Sequence, residues 1–306
     1  MPMISRNMSS CDCQSFKPFP PGSWDTHLHT FDPVKHPYDA DSPYFPPERT
    51  VQQALARLPA DNYVFVMAMP EGTRPANVLE SVVSVNKALT NDGRHRQSRA
   101  TVVLDFDNTT DAQLSELHEQ GVRSVRIHTK GAVTRELSGD AALEHYIETV
   151  ARRVAPLGWT LDGQLPAAQW VKFAPLLKKL NREIGIEFVA DHHFYLKATD
   201  YLSQTYTTII DLIESGVVYT KISGLTQRLD PGQQLEDMEP VSKGLASAAC
   251  GNRAVYGSDW PHVVSSGGGS ETKTVDEKAE AMLYRQWFGE ELFRKILVDN
   301  PAKLYA

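Results

Sequence analysis

Eight short runs of apolar and β-branched residues recur along the chain at fairly regular intervals. The predicted strands are Trp24–His29, Tyr63–Met69, Ala100–Phe106, Ser124–His128, Thr160–Gln164, Ile186–Ala190, Tyr219–Ser223 and Ala254–Tyr256. Two of these runs, VFVMAM and TVVL, are apolar at almost every position, which is typical of strands that are covered on both faces. This pattern predicts a buried parallel sheet.

Longer stretches with helical periodicity separate the strands. They are Val51–Leu58, Val78–Leu89, Asp111–Gln120, Leu143–Ala155, Trp170–Leu180 and Thr207–Ser215, and a helical tail follows over Asp276–Leu297. Eight strands that alternate with helices predict an α/β fold, a closed (β/α)8 TIM barrel. We therefore expect one barrel domain over residues 23–306, preceded by a polar, proline-rich N-terminal arm over residues 1–22.

Two loops depart from the simple alternation of strands and helices. The loop His36–Pro47 is rich in Pro, Asp and Tyr, and its length suits part of a lid. Ser265–Ser270 has the sequence SSGGGS, which predicts a flexible connector. Both follow strands, and active sites of such barrels are built at that end. We therefore expect both loops to border the active site.

Composition excludes several classes of protein. The net charge of −7 and pI of about 5.8 argue against a nucleic-acid-binding protein. No apolar run approaches the ~20 residues of a membrane span, and the N-terminus lacks the apolar segment of a secretory signal. Cys11, Cys13 and Cys250 fit neither a disulfide framework nor a four-cysteine zinc site. We expect a cytoplasmic protein with no nucleic-acid or membrane partner and with Cys250 buried, and the sequence leaves its oligomeric state open.

Histidines and an aspartate stand at the ends of three predicted strands. His27 and His29 lie in D-T-H-L-H at the first strand, His192 lies in V-A-D-H-H after the sixth, and Asp259 lies in Y-G-S-D-W-P-H after the eighth. Singly, these could be exposed loop histidines, a core histidine bonded to a carbonyl, or a turn-capping aspartate. Together, at one rim of a barrel, they predict a site that binds a metal or a substrate anion. We expect His192 to point inward and His193 into the following loop.

Basic residues near other strand ends suggest an acidic substrate. Arg126 lies in the fourth strand with Lys130 just beyond it, and Arg228 follows the seventh strand. Arginine pairs bidentately with carboxylates, so Arg126 and Arg228 could hold an acidic group, although ordinary salt bridges are an equal alternative. Lys221 is expected to be structural, because its neighbours are typical of mid-strand packing.

The order and spacing of these segments resemble the amidohydrolase superfamily, in its amidohydrolase-2 branch, and within it the 2-pyrone-4,6-dicarboxylate lactonase group. The segments that carry the resemblance are DTHLHTFDP, QLSELHEQGVRSVRIH, GWTL, VADH, VYTKISG, YGSDWPH and ILVDNPAKLY. The resemblance implies that His27, His29, His192 and Asp259 form the catalytic centre. It also implies that Arg126 and Arg228 hold substrate carboxylates, with His262 nearby.

Departures from the lactonase pattern indicate a changed substrate. Gln164 stands where the pattern has a tyrosine, Tyr195 where it has an arginine, and His128 where it has an asparagine. Lys130, followed by Gly and Ala, replaces a second arginine. With Tyr44 from the predicted lid, these residues are our further candidates for substrate contacts. We expect a small acidic or phenolic substrate with one acidic group rather than two or three.

The resemblance implies hydrolysis of a lactone or a similarly activated ester. Asp259 would act as general base on water, and His27, His29 and His192 would polarise the carbonyl, directly or through a metal. No cofactor is required if the chain follows the lactonase group; otherwise the same four residues would hold one divalent ion, Zn²⁺ or Mn²⁺. The fifth strand has no histidine to complete a two-metal centre.

Two alternatives remain from the sequence. A metal-dependent nonoxidative decarboxylase of an aromatic acid would use the same four residues. A non-catalytic binding protein could keep the barrel without turnover.

Overall fold

The computed structural model describes residues 19–128, 133, 137, 139–266 and 269–306. Its main sheet has eight strands, each paired in parallel with the next in sequence order. The strands are β1 (Trp24–Leu28), β2 (Asn62–Val66), β3 (Ser98–Val102), β4 (Val122–His128), β5 (Thr160–Gln164), β6 (Phe188–Ala190), β7 (Val218–Ile222) and β8 (Ala254–Tyr256).

Hydrogen bonds between β1 and the segment after β8 close the sheet into a barrel. The His29 backbone N–H donates to Trp260 O at 2.8 Å, and the Asp259 N–H donates to His27 O at 2.8 Å. The predicted (β/α)8 barrel is confirmed, and every predicted strand overlaps an observed one. This closure also brings two of the predicted site segments, at the ends of the first and eighth strands, side by side.

Nine α-helices occur in the described ranges. They are α1 (Val51–Arg57), α2 (Ala76–Asn86), α3 (Asp111–Glu119), α4 (Gly139–Val154), α5 (Ala167–Ile184), α6 (Gln204–Glu214), α7 (Glu239–Ser247), α8 (Glu277–Arg294) and α9 (Asn300–Leu304). Helices α1 and α3 begin at capping boxes, in which Thr50 and Thr110 bond the backbone three residues ahead. Helix α7 has no counterpart among the predicted stretches, because its Pro, Ser and Gly weaken the helical pattern. None of the described helices is long and apolar enough to cross a membrane.

The barrel interior has an apolar floor. Trp24, Val64, Val189, Tyr219 and Val255 pack together there with Leu304 and Tyr305 from the end of the chain. Trp24 and Tyr305 stack with their ring centroids 6.3 Å apart. Above this floor the buried interior side chains are polar or charged, Asp162, Asp191 and Lys221 among them. The polar part of the interior therefore faces the end of the barrel that carries the predicted site.

The segment after β8 forms a hairpin. Strand β9 (Val263–Ser266) pairs antiparallel with β10 (Gly269–Thr272), while residues 267 and 268 lie outside the described residues. The prediction of a flexible connector is therefore wrong for the residues of SSGGGS that pair in this hairpin. A glycine- and serine-rich run was expected to stay unpaired, but the ladder bonds use only the backbone.

The loop His36–Pro47 is tied to the rest of the rim. Asp39 pairs with Arg74 at 2.5 Å, and the Phe45 N–H donates to Ser270 Oγ at 2.7 Å. Just beyond the loop, Arg49 Nη2 donates to Thr272 Oγ1 at 3.0 Å. The predicted lid and the hairpin therefore contact each other along one side of the barrel mouth.

Cys250 is exposed, so the prediction of a buried thiol is wrong. It lies in a short surface turn, Ala248–Gly251, where its backbone adopts a left-handed φ of 54°. Its position before the last strand, away from the histidine cluster, suggested burial, whereas the chain turns there at the surface. Cys11, Cys13 and most of the predicted N-terminal arm lie outside the described residues.

His193 is fully buried between β7 and α7 rather than directed into a loop. Its Nδ1 lies 3.1 Å from Ser223 O, and its Nε2 lies 3.2 Å from Ser242 Oγ. The turn His192–Tyr195 has left-handed φ angles between 49° and 60°, which places His192 and His193 on opposite sides of the chain. His193 therefore links the strand and the helix, which the sequence did not indicate.

We expect His193 to make the protein less stable as the pH falls below about 6.5. Burial lowers the pKa of His193 to about 3, so the folded protein keeps this ring neutral while the unfolded chain takes up a proton. The unfolding free energy should fall by about 1.4 kcal/mol per pH unit from this group. Urea unfolding of His193→Gln between pH 5 and 7 should show a shallower slope by that amount.

The exposed His145 on α4 offers a matched control, because His145→Gln removes a histidine without opening the core. An unchanged pH slope in His193→Gln would contradict the prediction.

Candidate active site

The three predicted histidines converge on Asp259. The Nε2 atoms of His27, His29 and His192 lie 3.7, 3.6 and 3.8 Å from Asp259 Oδ1. His27 and His192 pack with their ring centroids 4.5 Å apart. The four residues come from the ends of β1, β6 and β8, as the sequence predicts, and they form one compact group.

The charges in this group follow from burial and proximity. Burial alone would raise the pKa of Asp259, but the neighbouring His192, His29 and His27 lower it far below its ordinary value. Burial lowers the pKa of His192 to about 4 and holds the pKa of His27 well below its usual range. At neutral pH an ionised Asp259 carboxylate therefore lies beside the neutral imidazoles of His27 and His192.

The second nitrogen of each ring indicates where the protons lie. His29 Nδ1 lies 2.7 Å from Val66 O, and a carbonyl only accepts, so this nitrogen carries the proton. His27 Nδ1 lies 3.1 Å from Asp191 Oδ1, another acceptor. The Nε2 atoms of both rings face Asp259.

This donor set fits one divalent cation. His27 Nε2 is buried and has no hydrogen-bond partner among the described residues. His27, His29 and Asp259 offer ligand atoms within 4.8 Å of one another, and His192 adds a third imidazole beside them. Three nitrogens and one carboxylate oxygen are a usual ligand set for Zn²⁺.

Asp259 is held in place by groups that the sequence analysis missed. Gln227 Nε2 donates to Asp259 Oδ2 at 2.5 Å, which leaves Oδ1 facing the imidazoles. Gly224 approaches so closely that a Cβ there would lie 3.3 Å from Asp259 Oδ2 and 3.1 Å from His192 Nδ1. Ser223 Oγ lies 2.9 Å from that same His192 nitrogen. The turn after β7 thus supports both residues, and the only sequence signal was its position after a strand.

Arg126 is largely committed to protein acceptors. Its Nε and Nη2 each lie 3.3 Å from Asp191 Oδ2, while Nη1 donates to Met67 O at 2.9 Å and Nη2 to Gln164 Oε1 at 2.6 Å. Asp191 therefore connects Arg126 with His27. The sequence analysis quoted this aspartate in V-A-D-H-H but assigned it no role.

Arg228 differs from Arg126 because no carboxylate in the described part of the chain forms an ion pair with it. It is 7% exposed and lies over the Tyr195 ring, with its guanidinium carbon 4.2 Å from the ring centroid. Its Nε is buried without a hydrogen-bond partner, and no carboxylate within the described ranges pairs with it. The Tyr195 hydroxyl in turn accepts a hydrogen bond from Gln164. An unpaired guanidinium this deeply buried is suited to binding an anion.

A cavity of about 340 Å³ opens beside Asp259. It is lined by His29, Phe31, Pro43, Tyr44, Met69, Arg126, His128, Gln164, His192, Gln227, Asp259 and Val263. Seven of the predicted site residues are among them, Tyr44 of the lid and His128 included. Phe31, Met69 and Gln227 are additional, since nothing in their sequence context marked them.

Four predicted contacts have a different outcome. His262 points away from the cavity, and its Nε2 lies 3.0 Å from Glu277 Oε1, because the chain has already turned after Asp259. Tyr195 and Arg228 stack on each other, and neither is among the residues that line the cavity. Lys130 lies outside the described residues.

Close packing at Gly224 gives a stability prediction. Gly224 and Gly232 both have left-handed φ angles, of 60° and 90°, but a Cβ at Gly232 would meet nothing within 4 Å. Gly232→Ala should cost about 1–2 kcal/mol of unfolding free energy from backbone strain alone. Gly224→Ala should cost a further ~1–3 kcal/mol, because His192 and Asp259 must move. Urea unfolding measures both variants, and equal losses would show that the two neighbours shift freely.

Comparison with known proteins gives matches over nearly the whole chain. The profile of the amidohydrolase family (Amidohydro_2) matches residues 24–306. The 4-sulfomuconolactone hydrolase of Hydrogenophaga intermedia is 26% identical over 297 residues, which cover 94% of this chain and 89% of that protein. The 2-pyrone-4,6-dicarboxylate hydrolase of Comamonas testosteroni is 25% identical over 306 residues, which cover 94% and 90%.

Among solved structures, a probable 2-pyrone-4,6-dicarboxylic acid hydrolase from Acinetobacter baumannii, with citric acid bound, superposes with a TM-score of 0.72. It is 20% identical, and the match covers 93% of this chain and 99% of that one, which supports the barrel fold. The similar proteins are named as hydrolases, so the matches favour a hydrolase over the decarboxylase alternative. The predicted family is confirmed: this chain belongs to the amidohydrolase family.

Proposed function

We propose that this enzyme hydrolyses a lactone, or a similarly activated ester, of a small substrate that carries one acidic group. The observation that carries the proposal is the convergence of three imidazole Nε2 atoms on Asp259 Oδ1 at the edge of the cavity. Relatives named as hydrolases of a sulfonated muconolactone and of a pyrone dicarboxylate support the lactone chemistry.

Asp259 is the proposed general base. It is ionised at neutral pH, and Gln227 holds its Oδ2 so that Oδ1 faces the imidazoles beside the cavity. A water molecule between Asp259 and the lactone carbonyl would lose its proton to Oδ1 as it attacks. The low pKa of Asp259 makes it a weak base, which favours the form of the proposal in which a metal ion would acidify the water.

His27, His29, His192 and Asp259 are the proposed ligands of one divalent ion, Zn²⁺ or Mn²⁺. Such an ion, when bound, supplies an acidified water and an electrophile for the carbonyl. The chain's own residues prepare this site: Val66 O holds the proton of His29 on Nδ1, Asp191 Oδ1 lies 3.1 Å from His27 Nδ1, and the Nε2 atoms of both rings face Asp259. Strand β5 carries Asp162 and no histidine, so one ion is the expected maximum.

Arg228 is the proposed binding residue for the acidic group. Its guanidinium lies close enough to His192 to lower the pKa of that ring. Arg126 has the same effect on His192, but Arg126 is already bonded to Asp191. Tyr44, His128 and Gln164 would shape the rest of the cavity. Lys130 is kept as a candidate contact from its sequence position alone. The geometry of His262 gives no support to a substrate contact.

We infer a cytoplasmic enzyme from the cysteine content, and a small acidic or phenolic molecule as its partner, with Arg228 as the group that binds the acidic form.

Asp259→Asn tests the proposed base. The variant should lose about 10²–10⁴-fold in kcat while it stays folded, because the base is removed and the cavity is kept. Ring opening of a panel of carboxylated and sulfonated lactones is followed by ultraviolet absorbance, and Asp107→Asn in the exposed turn after β3 serves as the control. Metal content is measured on the same preparations, with and without a chelator.

The outcomes separate the alternatives. About one equivalent of Zn or Mn, with activity lost on chelation, supports the metal-assisted form of the proposal. Ring opening that survives the chelator leaves the four residues acting directly. Release of CO₂ from aromatic acids without ring opening would establish the decarboxylase. Ligand binding that Asp259→Asn leaves unaffected, with no turnover of any substrate, would establish a binding protein.

Arg228→Gln tests the proposed anion site. It should raise KM for a lactone with an acidic group by about tenfold to a hundredfold, the usual worth of a hydrogen bond to a charged group. The methyl ester of the same substrate should be affected far less, because it has no charge to lose. An equal loss on both substrates would indicate that Arg228 only supports the fold.

A further inference from the structure

Four buried charges of alternating sign run from the barrel interior to the cavity. They are Asp162 on β5, Lys221 on β7, Asp191 after β6 and Arg126 on β4. None is more than 6% exposed, and their formal charges sum to zero. Charged side chains are rarely buried unless paired, and the interiors of such barrels are usually filled by branched apolar residues. The four residues are called the charge chain below.

Lys221 is the centre of the charge chain. Its Nζ lies 2.5 Å from Asp162 Oδ2, 3.1 Å from Asp191 Oδ1 and 3.3 Å from His27 Nδ1. The sequence analysis expected a structural residue in mid-strand packing, and the structure shows a fully buried ammonium between two carboxylates. Lys221 is not among the residues that line the cavity. Any effect it has on the reaction must therefore pass through a neighbour.

Asp191 is the neighbour with contacts on both sides. Its Oδ1 lies 3.1 Å from both His27 Nδ1 and Lys221 Nζ, and its Oδ2 accepts from two Arg126 nitrogens at 3.3 Å. The orientation of this one carboxylate therefore fixes both the orientation of the His27 ring and that of the Arg126 guanidinium.

Asp162 provides the fixed end of the charge chain. Its Oδ1 accepts from Ser124 Oγ at 2.5 Å and from Thr160 Oγ1 at 3.2 Å. These hydroxyls belong to β4 and β5, so the carboxylate is bound to the barrel wall rather than to the cavity. Lys221 bridges this anchored carboxylate and the one that touches His27.

We propose that Lys221 is a positioning residue of the hydrolytic site: anchored on Asp162, it holds Asp191 so that its two oxygens orient His27 and Arg126. The inference rests on the proposed function for its kinetic consequence only. Its structural consequence, the placement of the His27 ring, is measured without substrate.

Three variants separate positioning from simple charge balance. Lys221→Met removes the ammonium and leaves the charge chain with one uncompensated negative charge, because Arg126 still pairs with Asp191. Lys221→Met combined with Asp162→Asn restores the balance of charge but leaves Asp191 unsupported. Asp162→Asn alone is the matched control for charge: the asparagine amide oxygen still accepts from the Lys221 ammonium, so the anchor is kept, and Lys221 still reaches Asp191. Each protein is purified in full length, its folding is checked by urea unfolding, and its histidines are labelled with ¹⁵N.

Two readouts decide the outcome. Long-range ¹H–¹⁵N spectra at one fixed pH report the ring nitrogens of His27, assigned with His27→Gln. We expect the His27 Nδ1 signal to shift in the double variant and to stay in place in Asp162→Asn. In lactone hydrolysis, kcat of the double variant should fall about 10-fold to 100-fold, with KM within about threefold, because Arg228 lies outside the charge chain.

A double variant with the wild-type His27 signal and wild-type kcat would overturn the proposal and leave Lys221 a charge-balancing residue. Failure of both Lys221 variants to fold would overturn it equally, in favour of a purely structural role. If the wild-type protein opens no lactone, the proposed function fails, and the His27 signal alone still decides whether Lys221 positions that ring.

Discussion

The placement of ionised groups where water is excluded is the constraint on which the rest of this structure depends. A carboxylate or ammonium in a barrel interior is stable only with a counter-charge at contact distance. Here the interior charges meet that condition by alternating in sign across neighbouring strands, from Asp162 through Lys221 and Asp191 to Arg126. The pairing constrains strands β4 to β7 relative to one another, and it ends at the imidazole of His27. The same ion pairs thus hold the strands relative to one another and contact the proposed catalytic residue His27.

The two buried arginines, Arg126 and Arg228, differ in whether protein carboxylates already pair with their charge. Arg126 lines the cavity, and Asp191, Met67 and Gln164 already accept its hydrogen bonds. Arg228 is nearly as buried and lies over the face of Tyr195, and no carboxylate among the described residues forms an ion pair with it. Both residues are arginines, so residue type does not distinguish them. The guanidinium without a paired carboxylate, that of Arg228, indicates where an acidic substrate group would bind.

Sequence patterns predicted the barrel and the four central residues because both are local signals. Buried strands show as continuous apolar runs, and His27, His29, His192 and Asp259 stand directly after such runs. The roles of Asp191, Lys221 and Gln227 depend on which strands face each other across the interior, and no short segment contains that information. His193, Cys250 and His262 were misplaced for a different reason. Each lies in a turn with left-handed backbone angles, as His192 and Asp259 also do, and a strand pattern does not indicate in which direction a side chain leaves such a turn.

The barrel mouth is walled on one side by two excursions that touch each other, the loop His36–Pro47 and the hairpin of β9 and β10. Tyr44 and Val263 bring one residue from each to the cavity, whereas the charged interior is built from the strands and the turns that follow them. Insertions or deletions in these excursions would alter the size and polarity of the cavity without displacing a single interior ion pair. The fold thereby separates the part of the enzyme that can diverge toward new substrates from the part in which any change of charge must be matched by another.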